Sequence, residues 1–237
     1  MKNYVLIMFC WVACVANAQT ATTVTWDYPV KPGTEEWRQF TTGRQMVEAC
    51  QIPQNILEAL STKDLAVICF NYPLFLNFSA YNDERKGISN MIERFNGLKE
   101  LSKRKDGTRE LMNIYQNYPV LAEFHDKSSE YYTAPIKLPF LELLLANDAF
   151  MQQLNEPMAI ELEKMVLDKY VSMLENMHVY GIWNIRKTFL LGARAMEHRN
   201  KFADLPVQQD VIKRYIENYI RADPALLTEI SKIISEI

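Results

Sequence analysis

Beyond residue 60 the apolar side chains recur with a helical period. Leu65, Ile68, Cys69 and Tyr72 stand at i, i+3, i+4 and i+7, and Leu111, Ile114, Tyr115 and Tyr118 repeat the pattern 46 residues later. Side chains at this spacing share one face of a helix, so each set forms a stripe that must pack against another element. Aligned at that offset, Ser61–Ser79 and Gly107–His125 have seven identities, among them Asn71-Tyr72-Pro73 against Asn117-Tyr118-Pro119. Thr62 with Thr108, Leu65 with Leu111, Ile68 with Ile114 and Phe78 with Phe124 complete the set. A Ser or Thr ahead of such a run accepts hydrogen bonds from free N–H groups of the first turn, and Ser61 with Asp64 resembles a capping box. Pro73 and Pro119 lack an N–H and disfavour α geometry in the preceding Tyr, which predicts that each helix stops or kinks there. Thr42–Pro53 keeps the same threonine-to-proline distance and reads as a third, shorter echo.

The remaining pattern is also helical. Residues 84–95 and 98–105 read as helices broken at Asn96-Gly97 and Asp106-Gly107. Five more follow over 140–154, 157–177, 184–201, 207–220 and 224–237, with Pro157 and Pro224 at first-turn positions. Residues 127–139, with Ser128-Ser129, Tyr131-Tyr132, Pro135 and Pro139, read as a connecting loop between an N-terminal helical repeat subdomain (37–126) and a C-terminal helical subdomain (140–237). Residues 19–36 read as an N-terminal arm; only Thr22–Tyr28 within it has β-type composition, and it is expected to lie extended on the surface. The fold class is therefore all-α, an irregular helical bundle or a short array of the HEAT or armadillo kind, whose period the offset matches.

The first residues change the compartment. One basic residue, an apolar run over Tyr4–Val15 and the small-x-small triplet Ala16-Asn17-Ala18 form a signal peptide, with cleavage expected before Gln19. A rival reading takes Cys14 as a lipidated first residue, which the bulky Trp11 suits poorly. No stretch approaches the roughly 20 apolar residues of a membrane span. Export leaves Cys50 and Cys69 where disulfides persist, and the two read as unpaired buried thiols or one bridge. Removing Lys2 with the signal leaves 25 basic against 29 acidic side chains, a balance of −4 that attracts neither nucleic acid nor an anionic surface.

The Thr62, Leu65, Cys69, Pro73 stretch, the Phe95–Leu101 turn and Tyr180-Gly181 before a helix together resemble a family of uncharacterised secreted bacterial helical proteins. The resemblance implies export and helices, with no activity, cofactor or site residue to carry over.

Candidate chemistry is sparse. Glu175 and His178 have the Glu-x-x-His spacing of dimetal carboxylate bundles, but His125 and His198 have Ala122 and Ala195 where a second copy needs Glu. The pattern therefore reads as a histidine at a helix end, favoured by the C-terminal dipole, with no metal ligand among these residues. Either cysteine with His125 or His178 would make a thiolate pair, yet both cysteines lie on apolar stripes where burial silences the thiol. The cations from Lys99 to Arg109 read as a solvated helix face, and Asn77-Phe78-Ser79 as a chance glycosylation triplet. No cofactor motif is present. Tyr131, Tyr132, Tyr180 and Trp183 fall in expected connections, where large aromatic side chains either cover the core or form a recognition surface; with His178 they are the candidate ligand-binding residues. The sequence thus points to an exported, non-catalytic interaction module whose partner is another envelope or extracellular protein. The alternative is an enzyme or small-ligand binder with a pocket between the helical halves, near Glu175, His178 and Trp183.

Overall fold

The structure, a computed structural model, describes residues 25–120 and 129–237, with side chains omitted for 129–132. The expected signal peptide, with Cys14, therefore lies outside the described residues, as do residues 19–24 of the arm and His125. Helices account for the regular structure, and no strand occurs among the described residues. The first half holds α1 (Glu35–Arg38), α2 (Gly43–Ala49), α3 (Gln54–Ala59), α4 (Thr62–Phe70), a 3-10 helix (Phe75–Ala80), α5 (Glu84–Arg94), α6 (Asn96–Leu101) and α7 (Gly107–Asn117). The second holds α8 (Ser129–Leu145), α9 (Asp148–Met151), α10 (Glu156–Glu175), α11 (Met177–His198), α12 (Pro206–Asn218) and α13 (Pro224–Ser235).

The duplicated segments become α4 and α7, which pack against each other. Leu65, Ile68, Cys69 and Tyr72 are all buried, and so are Leu111 and Tyr115, while Ile114 and Tyr118 are half-buried at the edge. Both helices end where the prolines require, with C-caps at Asn71 and Tyr118. Their starts differ. Ser61 caps α4 by accepting from the Asp64 N–H at 3.1 Å, and Thr42 caps α2 in a full capping box with Gln45. In α7 the corresponding Thr108 is no cap: its buried hydroxyl donates to the Phe150 carbonyl at 2.8 Å and ties α7 to α9. One apolar core runs from Tyr28 to Ile234 through both halves.

The described part of the expected connecting loop, from Ser129 to Pro139, is helical, and Pro135 and Pro139 lie inside α8. Pro139 cannot donate to the carbonyl of Pro135, four residues back, and the Asn184 side-chain amide donates to that carbonyl instead, at 2.8 Å. Burial of Leu138, Phe140, Leu141 and Leu144 adds roughly 1.5–3 kcal/mol per side chain, enough to offset prolines that each cost about 3 kcal/mol inside a helix. The helix expected to run to Leu154 stops at Leu145, because the Asn147 side chain caps a new turn, α9.

Asn96-Gly97 is not a break either; it opens α6. The Asn96 side chain accepts from the Ile52 N–H and donates to the Ile52 carbonyl, and a Cβ on Gly97 would lie 2.5 Å from the Phe95 ring. The described part of the arm is anchored by Tyr28, which is buried and donates to the Ile68 carbonyl at 2.9 Å, while Thr25 and Asp27 are exposed. Nor is the Lys99–Arg109 stretch merely solvated. Arg104 donates to the Leu57 and Leu60 carbonyls at 2.8 and 2.7 Å, satisfying the open end of α3.

Candidate functional site

Helix α10 ends at Glu175, and α11 begins after a single capping residue, Asn176. One turn later Gly181 takes φ +65° and ψ 164°, a conformation that side chains strongly disfavour, so α11 kinks there. Five large apolar side chains stay exposed on this short piece of chain: Val171, Leu174, Met177, Ile182 and Trp183, with Ile136 of α8 also exposed. The Asn184 bond to the Pro135 carbonyl brings the start of the second α11 segment to that part of α8. Exposed apolar side chains therefore flank the kink on both sides, as a collar along the chain.

Trp183 is the most exposed member, at 64%. It is nevertheless held. The Arg186 guanidinium lies 4.5 Å from its ring centroid, an attraction worth about 0.5–1 kcal/mol at an exposed site. Arg186 itself donates to the Ala222 carbonyl at 2.8 Å, and its own carbonyl accepts from the Tyr215 hydroxyl at 2.8 Å. The Trp183 carbonyl accepts from the Lys187 ammonium at 3.0 Å. A large aromatic side chain fixed in place and left in water is the type of residue that dominates protein interfaces.

The fold distributes the candidate residues unequally. His178 and Trp183 are exposed near the kink, whereas Tyr180 is buried and faces the core. Tyr131 and Tyr132 are in the first turn of α8, with side chains outside the described residues. Glu175 and His178 do not share a helix: Glu175 is the last residue of α10, and His178 is in the first turn of α11, just before the kink at Gly181. Among the described residues no group of three or more His, Cys, Asp or Glu gathers as a metal site. Cys50 and Cys69 are buried and unbridged; burial pushes the Cys50 thiol up to about 12 and Cys69 well above its usual range, although Arg104 opposes the latter shift.

The interior of the second half also holds polar groups. Glu142 of α8 is fully buried, and its Oε1 accepts from the Thr188 hydroxyl at 2.8 Å and the Tyr115 hydroxyl at 3.0 Å. Its Oε2 is buried with no hydrogen-bond partner. Burial raises its pKa to about 8, against the opposing pull of the two hydrogen bonds and of Lys187 and Lys169, so the carboxyl is mostly neutral at pH 7. Lys187 and Lys169 are themselves buried. Lys187 lies 3.1 Å from Glu84 Oε2, and Lys169 donates to the Tyr118 carbonyl at 2.6 Å. Glu163 is also buried and pairs with Arg199 at 3.1 and 3.2 Å and with Lys201 at 3.5 Å. The stretch Leu141-Glu142-Leu143-Leu144, one charge inside an apolar run, was the readable signal for this core, and Arg186 three residues after Trp183 was the signal for the anchor.

Between the halves a cleft of about 270 Å³ adjoins a shallower one of about 550 Å³, both lined by Asp83, Arg85 and Lys86. This position differs from the pocket expected near Glu175, His178 and Trp183. Its charges are largely spent on each other: Arg85 grips Asp83 and donates to the Ile216 carbonyl, and Arg194 pairs with Asp148. Among the described residues no helix is long and apolar enough to cross a membrane. Comparison with protein-family models, with curated proteins and with solved structures finds no match to this chain.

Proposed function

We propose that this protein is an exported, non-catalytic helical interaction module that engages another protein of the cell envelope through the apolar collar around Gly181. The observation that carries the reading is Trp183, exposed at 64% yet fixed by Arg186 on one face and by Lys187 at its carbonyl. Exposed Val171, Leu174, Met177 and Ile182 extend the contact beyond one side chain, as a hydrophobic interface centre requires. Export is supported by the signal-like pattern of residues 1–18. The reading is tested by placing a photo-crosslinking amino acid at Ile182 of the full chain in the producing cell. The expected outcome is a crosslink to one envelope protein that disappears in Trp183→Glu while the helical circular dichroism is unchanged. A crosslink indifferent to Trp183→Glu overturns the reading, and one to a second copy of the chain replaces it with self-association.

A second reading, a small anionic ligand in the cleft between the halves, is favoured by Arg194, which lines the cleft and whose Nε is buried without a hydrogen-bond partner. Saturable binding of inorganic phosphate that is lost in Arg194→Gln would establish it, and its absence would remove it.

A further inference from the structure

Lys187 is ion-paired with one carboxyl group, Glu84, and acts electrostatically on a second, Glu142. Its ammonium is 3.1 Å from Glu84 Oε2 and donates to the Trp183 carbonyl at 3.0 Å, while the next residue, Thr188, bonds Glu142 Oε1 at 2.8 Å. The other oxygen of Glu142 is enclosed and unpartnered. A neutral acid meets a smaller penalty there: the doubly hydrogen-bonded oxygen serves as its carbonyl, and the other oxygen carries the proton without an acceptor, at a cost of about 1–3 kcal/mol. A carboxylate does not, since a buried charge without a countercharge costs several kcal/mol. We infer that Glu142 is a proton-operated latch for the collar: when it ionises, its carboxylate draws the Lys187 ammonium from the Trp183 carbonyl, and the kink that presents Trp183 loosens. The inference rests on the collar being the binding surface.

The groups that face Glu142 select Lys187 as the moving part. Tyr115 reaches it from α7 as a hydrogen-bond donor, Lys169 from α10, Lys187 from α11, and Tyr219, at the end of α12, acts on it at longer range. Of the two lysines, Lys187 exerts the stronger pull on Glu142, and the Tyr118 carbonyl holds Lys169 at 2.6 Å. Glu84 of α5 keeps a partner when Lys187 leaves, because the Tyr219 hydroxyl donates to the same Oε2 at 2.9 Å. From α9, Asp148 is already paired with Arg194, and the 3-10 helix contributes no titratable side chain. The proton released by Glu142 passes to solvent base, and no other bond is made or broken.

The test is fluorine NMR of the full chain labelled with fluorotryptophan, with His178 replaced by Gln to remove the neighbouring titratable group. The expected result is a Trp183 resonance that moves with one midpoint near pH 8 and stands still in Glu142→Gln. Lys187→Met should hold the resonance at its high-pH position throughout. A resonance that is static from about pH 6 to about pH 9.5, or that titrates equally in Glu142→Gln, overturns the latch. Should Glu142→Gln fail to fold, the infrared carbonyl band of a protonated carboxyl in the parent chain must vanish over the same range; its persistence refutes the inference. Loss of the collar reading has a different signature, namely the Ile182 crosslink surviving Trp183→Glu, which the NMR titration does not report.

Discussion

The two halves of the molecule share one core but build it from different material. Before residue 121 the buried polar side chains are limited to Thr108 among the described residues, and rings and aliphatic chains supply the rest, as in the Tyr72–Phe95 stack at 4.3 Å. After residue 128 the interior also encloses Glu142, Glu163, Lys169, Lys187 and Thr188. An apolar interior responds to lost volume, whereas one containing charges responds to lost partners and to pH. Trp183 is tied to the second kind through Lys187, so the latch proposed for it depends on electrostatic balance in a way that the α4–α7 pair does not.

That contrast breaks most severely at Glu163. Glu163→Ala leaves Arg199 and Lys201 without their shared buried countercharge, and thermal or chemical denaturation should record a loss of roughly 3–5 kcal/mol. In the apolar half, Leu65→Ala should cost about 2–5 kcal/mol, with no dependence on pH beyond that of the parent chain. Asn184→Ala strips the Pro135 carbonyl of its donor and should cost roughly 1–3 kcal/mol. The repeat itself is sharpened by Ser61→Ala, expected to cost about 1 kcal/mol, because α4 has a side-chain cap that α7 lacks. Smallest in stability is Trp183→Glu, within about 0.5 kcal/mol of the parent on denaturation, although it should abolish the Ile182 crosslink.

How much of this was legible follows from which interactions are local. The starts of α2 and α4 and the stops of α4 and α7 depend on residues within one turn, and Thr42, Ser61, Pro73 and Pro119 announced them. The same local logic misplaced residues 127–139, because the carbonyl left open by Pro139 is satisfied by Asn184, 49 residues away from Pro135. It also misread Asn96-Gly97, whose role is set by Ile52 and the Phe95 ring, and Thr108, whose partner is Phe150. Of the expected ligand-binding residues, His178 and Trp183 are exposed near the kink, whereas Tyr180 is turned inward. The anchor from Arg186 and the buried Glu142 network depend on helices meeting in space, and no periodicity encodes them.

The polar interior of the second half rests on Glu142 being uncharged. Its folded value of about 8 lies above the ordinary 4.5, so its favourable contribution is complete below about pH 4.5 and is lost as pH rises through about 8. The direct measurement is chemical denaturation of the parent chain and of Glu142→Gln, an uncharged mimic of the neutral acid, at matched pH from about 5 to about 9. The parent should lose stability relative to the variant by up to roughly 1.4 kcal/mol per pH unit until about pH 8, after which the gap stays constant. A gap that is the same at every pH would contradict a buried neutral Glu142 and remove the electrostatic distinction between the two halves.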